Sequence, residues 1–219
     1  MDSRCESSAV RVMQQRRLEE AIELPAIRAG FTTLDGFISR AQTVLQRRKA
    51  RPGRSLELHT REILIEEQFR EGTDFQHGPQ SEPGECPDFL FPSQEAYRDP
   101  SFPASRLRLL ATKTTCRDRW RQVINKADRI PVKHLLTLQE GVSEAQFREM
   151  TRARAQLVVP EPLIAKFPSS IRADLQTLES FMGDGRKTMT PFPRRSRQCP
   201  GAARFHAELY LYEKFSSCV

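Results

Sequence analysis

An aspartate and a lysine at the ends of two short apolar segments are the residues best placed to do chemistry in this sequence. Asp88 follows Pro87 and opens the segment Asp88–Phe91, and Lys113 follows the segment Leu107–Ala111. Both segments are predicted strands, because they are short, apolar and bounded by turn residues. On neighbouring strands, the carboxylate can hold a divalent cation while the ammonium faces a phosphate oxygen and an attacking water. The simpler alternative is a Pro-Asp turn and an unrelated surface lysine.

The charges of the chain are segregated along the sequence. The 219 residues carry 35 Lys plus Arg against 28 Asp plus Glu, a formal net charge of +7. Residues 40–61 contain seven bases and one acid, residues 62–97 nine acids and one base, and residues 98–154 thirteen bases and six acids. Any single base is most simply a solvated surface charge. Two basic blocks together favour phosphate binding through counterion release, and the acidic segment between them suits carboxylates that collect a cation.

Several classes of protein are disfavoured by composition. No apolar run approaches the roughly 18 residues of a membrane span, and the N-terminus lacks the apolar core of a signal peptide. Five scattered cysteines are too few for a disulfide scaffold, and neither they nor the four histidines show zinc-ligand spacing. Glycine-rich nucleotide-binding motifs are absent from the sequence. The sequence therefore predicts a cytoplasmic protein without a membrane partner.

The elements that must position Asp88 and Lys113 are predicted from apolar spacing and from turn residues. Pro25 ends the first predicted helix, and Arg51-Pro52-Gly53 separates the second from the third. Thr33 and Ser143 are predicted N-caps. Helices are predicted over residues 8–27, 33–49, 55–70, 116–129, 143–152 and 171–182, strands over residues 88–91, 107–111, 132–138 and 156–159, and a loop over residues 71–87. This order indicates an α/β fold with a mixed central sheet flanked by helices.

Several segments in this order carry a resemblance to a known family. They are Arg47–His59, Pro87–Ser93 with Tyr97, Ala111–Gln122, Leu138–Ser143, Leu157–Pro160 and Ile171–Phe181. Together they resemble the catalytic domain of EcoRII-type restriction endonucleases, with motifs in the same order and at similar spacing. The resemblance implies the PD-(D/E)xK restriction-endonuclease fold, a homodimer on double-stranded DNA, and Mg²⁺-dependent cleavage of both strands.

The resemblance also implies roles for five residues. Asp88 stands at the metal-binding carboxylate and Lys113 at the catalytic lysine. Tyr97 stands at the family's active-site tyrosine, although a strand-edge aromatic with its hydroxyl in solvent is nearly as good an interpretation. Glu57 matches a glutamate that binds the metal directly or through water. Arg117 replaces a second lysine and keeps a positive charge beside the phosphate.

One departure from the family pattern concerns the second acid of the site. The acid usually found two residues before the lysine is Ala111 here, as in the family, where a glutamate of the next helix substitutes for it. That position is Lys126 in this chain. Asp128 lies about 200° further around a helix and does not simply replace it. Three interpretations stay open: Glu57 supplies the acid, the helix aligns differently, or the chain is a weakened DNA-binding relative.

Contacts to DNA are predicted from side chains that suit base edges or phosphates, although any one of them is more simply a phosphate or solvent contact. The base-edge candidates are Arg119, Arg121, Lys133, His134, Gln139 and Glu140. The phosphate candidates are Arg47, Arg48, Lys49, Arg51 and Arg54. By resemblance, the site read is short and similar to CCWGG, and a companion DNA methyltransferase acts on the same site.

The predicted organisation has three parts. Residues 1–30 form an N-terminal helical extension, residues 31–182 form the EcoRII-like catalytic domain, and residues 183–219 form a basic tail of low order. Because only about 30 residues precede the match, an N-terminal effector domain is not expected. Cleavage is therefore expected not to require a second, activating DNA site.

Overall fold

The computed structural model describes residues 20–116 and 119–188. They belong to two units, one with residues up to Arg54 and one that begins at Ser55. Within the described ranges, no helix is both long enough and apolar enough to cross a bilayer. The prediction of a helix over residues 8–19 and most of the predicted tail lie outside these ranges.

The described part of the first unit contains one helix and the part of a second helix that precedes Ser55. Helix α1 covers residues 20–29, so Pro25 lies inside it and the predicted end at this proline is wrong. Helix α2 (Leu34–Glu66) begins after Thr33, whose hydroxyl accepts the backbone N–H of Gly36 at 3.1 Å, as an N-cap does. Glu23 of α1 binds both Arg40 and Arg47 of α2, at 2.7 and 3.0 Å, and these ion pairs join the two helices.

Helix α2 continues through Pro52 and Gly53, where the sequence predicted a break, and that prediction is wrong. Proline removes one backbone donor from a helix and is unfavourable there. Tertiary contacts hold the helix on both sides of it, however. Glu23 binds the part before Pro52, and burial of Leu56, Ile63 and Leu64 fixes the part after it. Packing of an apolar face outweighs local propensity.

The second unit contains one mixed six-stranded sheet whose spatial order is the chain order. The strands are β1 (Gln76–His77), β2 (Phe89–Phe91), β3 (Arg108–Lys113), β4 (Lys133–Thr137), β5 (Ala155–Val159) and β6 (Gln176–Thr177). Strand β2 pairs antiparallel with both β1 and β3, whereas β3, β4, β5 and β6 pair with one another in parallel. The mixed α/β prediction is confirmed, and the four predicted strands correspond to β2–β5. The two edge strands were missed because two residues show no readable period.

Helices cover both faces of this sheet. They are α3 (Gln94–Arg98), α4 (Arg121–Ile124), α5 (Glu144–Arg152), α6 (Glu161–Ile164) and α7 (Leu178–Thr188), with 3₁₀ turns at Ala104–Arg106 and Ser169–Asp174. The predicted N-cap Ser143 accepts the N–H of Gln146 at 3.2 Å. On one face Leu90 and Ala111 pack with Trp120. On the other face, the rings of Phe91 and Phe181 lie 5.4 Å apart.

Two predicted helices differ from the observed ones. Within the described part of the helix predicted over residues 116–129, only Arg121–Ile124 (α4) is α-helical. The predicted C-terminal part is wrong, because Ala127 has φ +53°, which cannot continue a right-handed helix. The helix predicted over residues 171–182 is a 3₁₀ turn, strand β6 and then α7. Pairing of Thr177 with Val159 satisfies the backbone in an extended form instead. Residues 183–188, predicted to be of low order, are helical.

His134 on β4 is buried against α7, with its ring 4.9 Å from that of Phe181. Within the described residues, its Nδ1 atom has no hydrogen-bond partner. Burial, and next the positive charge of Arg108, lower the pKa of His134 to about 4. The imidazole is therefore neutral at pH 7 and its protonation opposes folding.

This buried histidine predicts a pH dependence of stability. Because the unfolded chain protonates it near 6.5 and the folded chain near 4, stability is full above pH 6.5 and is lost as the pH falls toward 4. The loss approaches about 3 kcal/mol. The variant His134→Leu is expected to show a shallower dependence when urea unfolding is measured at pH 7.5 and pH 5. An equal change in the free energy of unfolding between the two pH values for both proteins would contradict this.

Candidate active site

Asp88 and Lys113 meet at the sheet edge where β2 begins and β3 ends. Lys113 Nζ lies 3.3 Å from Asp88 Oδ2. The same oxygen accepts the backbone N–H of Thr112 at 2.7 Å and its hydroxyl at 3.1 Å. The side chains of Lys113 and Asp88 keep 20% and 16% exposure, so both are reachable from solvent. The structure thus brings the two residues together at one edge, as their sequence positions indicated.

Three donors on one oxygen fix the orientation of the Asp88 carboxylate. Such pre-organisation means that the group does not need to rearrange when it meets a charged ligand. Strand β3 supplies the other two positions of the PD-(D/E)xK pattern. Ala111, at the position of the second acid, is buried in the core and has no group that could bind a metal ion. Lys113 follows two residues later on the same face of the strand. The site is therefore a fixed carboxylate beside a partly exposed ammonium.

Glu57, the predicted second carboxylate, lies on the other face of the sheet. Its Oε1 atom is 2.6 Å from His77 Nε2, and the His77 ring stacks on Phe89 at 5.1 Å. Leu90 packs in the same core cluster as Ala111, so Leu90, Ala111 and Lys113 lie on one face of the sheet. Because side chains alternate along a strand, Phe89 lies on the opposite face. The expectation that Glu57 binds a metal with Asp88 does not fit this placement.

Tyr97, on α3, is buried, and its hydroxyl donates to Glu82. Burial and the Glu82 carboxylate raise the pKa of Tyr97 to about 12, so the phenol stays a protonated donor. The predicted alternative of a solvent-facing hydroxyl is wrong. The hydroxyl binds and orients Glu82. The predicted contact of this hydroxyl with a phosphate or a water therefore does not fit either.

Glu82, which the sequence did not indicate, is the acceptor of a cluster of hydrogen bonds around Tyr97. Besides Tyr97, it accepts the backbone N–H groups of Ala127 and Asp128, each at 3.2 Å. Desolvation acts to raise its pKa, but these bonds and one from Ser81 outweigh it, and the pKa of Glu82 is lowered. A glutamate in a loop rich in glycine and proline has no spacing that could have revealed this role.

Lys126 lies beside the segment that precedes Asp88. Its Nζ donates to the carbonyl oxygen of Cys86 at 2.7 Å. Arg117, the predicted companion of Lys113, lies outside the described residues. In the described ranges, no group of three or more His, Cys, Asp and Glu side chains is arranged to hold a metal ion.

Two of the predicted base-reading residues serve the fold instead. Lys133 is buried, with Nζ donating to the carbonyls of Ala127 and Ile130 at 2.5 and 2.6 Å, and burial lowers its pKa. The Gln139 amide accepts the N–H of Cys116 and donates to the carbonyl of Gly141, both at 2.7 Å. Because both polar ends are used internally, a base contact from either residue does not fit.

The other predicted DNA contacts differ in exposure. Arg119 and Glu140 are exposed. Arg121 is exposed, pairs with Glu149 at 2.6 Å and stacks over Trp120. Buried His134 is not accessible to DNA. All five phosphate candidates on α2 are exposed: Arg47, which also binds Glu23, and Arg48, Lys49, Arg51 and Arg54.

Solved structures that share this fold are restriction endonucleases. Metal-depleted Ecl18kI in complex with uncleaved, modified DNA matches with a TM-score of 0.54 and 20% identity, over 80% of this chain and 59% of that one. The complex of restriction endonuclease PspGI with substrate DNA matches with a TM-score of 0.59 and 17% identity, over 80% and 74%. The fold is therefore that of the restriction endonucleases, as predicted.

Sequence comparison defines the family. The pattern described as EcoRII C terminal matches residues 15–182. The type II restriction enzyme EcoRII of Escherichia coli is 50% identical over 167 residues, which are 76% of this chain and 41% of that enzyme. The chain thus belongs to the EcoRII C-terminal family and spans about two-fifths of the length of this relative. The resemblance seen in the sequence is confirmed.

The placement of Gln139 predicts a structural and not a base-reading phenotype. Gln139→Leu leaves the N–H of Cys116 and the carbonyl of Gly141 without their partner, so the free energy of unfolding is expected to fall by about 1–3 kcal/mol. Urea unfolding measures this. The exposed neighbour serves as control: Glu140→Leu is expected to change stability by less than about 0.5 kcal/mol. Equal stability of Gln139→Leu and the parent chain would contradict the assignment.

Proposed function

We propose that this chain is a type II restriction endonuclease, which hydrolyses phosphodiester bonds of double-stranded DNA at a short specific sequence. The observation that carries the proposal is the contact of Lys113 with Asp88 at the edge of a restriction-endonuclease sheet. The 50% identity to EcoRII over 76% of this chain supports the proposal. The recognition sequence is CCWGG-like by the same family argument.

Asp88 and Lys113 have different roles in the proposed hydrolysis. Lys113 places a positive charge where negative charge develops on the phosphate, and its ammonium orients the attacking water. Thr112 holds Asp88 in place through two hydrogen bonds. A divalent cation bound at Asp88 would polarise the phosphoryl oxygens and lower the pKa of a water.

The donor set fits a cation that the DNA helps to hold. Mg²⁺ keeps several waters and is usually bound by one or two carboxylates together with substrate phosphates. Asp88 supplies one carboxylate, while Glu57 lies on the opposite face and Ala111 supplies no ligand. We therefore assign Asp88 as the protein ligand of Mg²⁺, with phosphate oxygens and waters completing the shell.

The partners follow from the same proposal. Double-stranded DNA is the substrate, a cytoplasmic homodimer is the acting form, and a companion methyltransferase protects the same sequence. Exposed bases on α2 supply phosphate contacts, which position DNA without reading it. The family membership of residues 15–182 supports these assignments.

A second candidate function is sequence-specific DNA binding with weak or no cleavage. The position of Lys126 favours it, because this lysine contacts Cys86, two positions before Asp88, and stands where the resemblance implies a carboxylate. The separation of Glu57 from the Asp88 face favours it as well. Cleavage of DNA in the presence of Mg²⁺ distinguishes the two.

Removal of either central residue is expected to abolish cleavage while leaving the fold intact. Asp88→Asn and Lys113→Ala should each lower the single-turnover rate on CCWGG-containing DNA with Mg²⁺ by about 100-fold or more. The matched controls Asp174→Asn and Lys187→Ala change exposed residues and should keep the parent rate.

The outcomes of this experiment separate the candidates. Retention of cleavage by Lys113→Ala would overturn the proposed mechanism. Specific binding of CCWGG-containing DNA by the parent chain, without cleavage in Mg²⁺, would favour the second candidate. Neither binding nor cleavage would reject both.

The exposed bases of α2 predict a salt-dependent contribution to DNA affinity. Lys49→Ala should lower the slope of log affinity against log salt by about 1, since one phosphate contact is lost. Fluorescence anisotropy with the same DNA from 50 to 200 mM salt, roughly the range in which such contacts weaken, measures it. The control Lys187→Ala, on α7, should keep the slope. An unchanged slope for Lys49→Ala would remove this residue from the phosphate contacts.

A further inference from the structure

The loop that leads into Asp88 is tied at both ends to one turn of the chain. That turn, residues 126–129, follows α4. At one end of the loop, the Glu82 carboxylate accepts the N–H groups of Ala127 and Asp128. At the other end, the Cys86 carbonyl accepts Lys126 Nζ, across 40 positions of sequence. Two hydrogen-bonded sites four residues apart therefore fix the path of this loop.

The turn is well suited to act as the fixed partner. Lys133 donates to the carbonyls of Ala127 and Ile130. The Arg129 guanidinium donates to the carbonyls of Tyr97, Asp99 and Phe102. Because these donors satisfy backbone carbonyls that no helix or strand satisfies, the turn keeps one conformation.

Asp88 depends on this attachment because its own strand begins only after it. Strand β2 starts at Phe89, and Cys86 and Pro87 belong to no helix or strand. Thr112 and Lys113 hold the side chain of Asp88, and Gly78 N–H binds its carbonyl at 2.8 Å. The backbone before it is held by Lys126.

We propose that Lys126 and Glu82 are positioning residues for Asp88, which anchor its approach segment to the 126–129 turn. This proposal rests on the proposed function, since it assigns Asp88 to the reacting site. Lys126 then holds the backbone at Cys86, because its ammonium donates to the neutral carbonyl of that residue. Its replacement by a carboxylate removes the anchor and does not create a better site.

The kinetic test uses substitutions of Lys126. Lys126→Met and Lys126→Glu should lower kcat by about 10- to 100-fold, because small displacements of a reacting group are costly, while KM for DNA stays within about twofold. Lys126→Arg keeps a donor and should recover most of the rate. Lys187→Met is the control. A rate for Lys126→Glu above that of the parent chain would overturn the proposal.

A second measurement does not depend on cleavage. The amide of Thr112 donates to Asp88 Oδ2, so its hydrogen exchange reports how firmly Asp88 is held. In Lys126→Met and Glu82→Ala, exchange of this amide should accelerate by about 10-fold or more, as local opening becomes easier. Exchange of the Leu136 amide, in β4, should be unchanged. Glu85→Ala is the matched control in the same loop.

These readouts keep the two proposals apart. A parent chain that does not cleave DNA would reject the proposed function, and the exchange at Thr112 would still decide the positioning role. Unchanged exchange of Thr112 in both variants would overturn the positioning role even in an active enzyme. Faster exchange at Thr112 and Leu136 alike would also overturn it, because the variants would then have loosened the whole sheet.

Discussion

The antiparallel pairing of β2 with β3 is the constraint on which the site depends. It places Phe89 opposite Leu110 and thereby brings the start of one strand to the end of the other. Asp88 and Lys113 come from positions 25 residues apart and meet only in this register. A slip of one residue would turn Lys113 to the opposite face of the sheet. The buried apolar side chains on both faces of β3 oppose such a slip, so the hydrophobic core also enforces the chemistry.

The same alternation of faces determines which acids can reach the site. Glu57 and His77 lie with Phe89, whereas Asp88 is held from β3 and turned toward Lys113. A site with one fixed carboxylate binds a cation weakly by itself, since each charged oxygen ligand adds affinity. In the proposed mechanism, DNA phosphates would complete the shell of a cation held by Asp88. Cation binding and DNA binding would then be linked, and each would strengthen the other.

How much of this was predictable depends on the distance over which each interaction acts. Strands β2–β5 were predictable because their apolar runs and turn residues are local signals, and Asp88 and Lys113 followed from the ends of those runs. The break predicted at Pro52 was wrong, because tertiary contacts on both sides of it outweigh the proline. Glu82 was unpredictable, since its partners at Ala127 and Asp128 are backbone N–H groups, which any sequence offers. Long-range bonds to backbone leave no pattern in a sequence.

The basic composition of the chain illustrates the same distinction. Lys126, Arg129 and Lys133 count toward the basic block of residues 98–154, yet all three donate to backbone carbonyls. A cation held in this way is less available to phosphate, because some of its N–H donors bind the protein's own backbone. The bases Arg48, Lys49, Arg51 and Arg54 of α2 are exposed to solvent. The net charge therefore overstates how many phosphates the basic block of residues 98–154 can bind. Part of the positive charge in this block stabilises the turn beside Asp88. In this chain, lysine and arginine therefore also hold the backbone next to Asp88 in place.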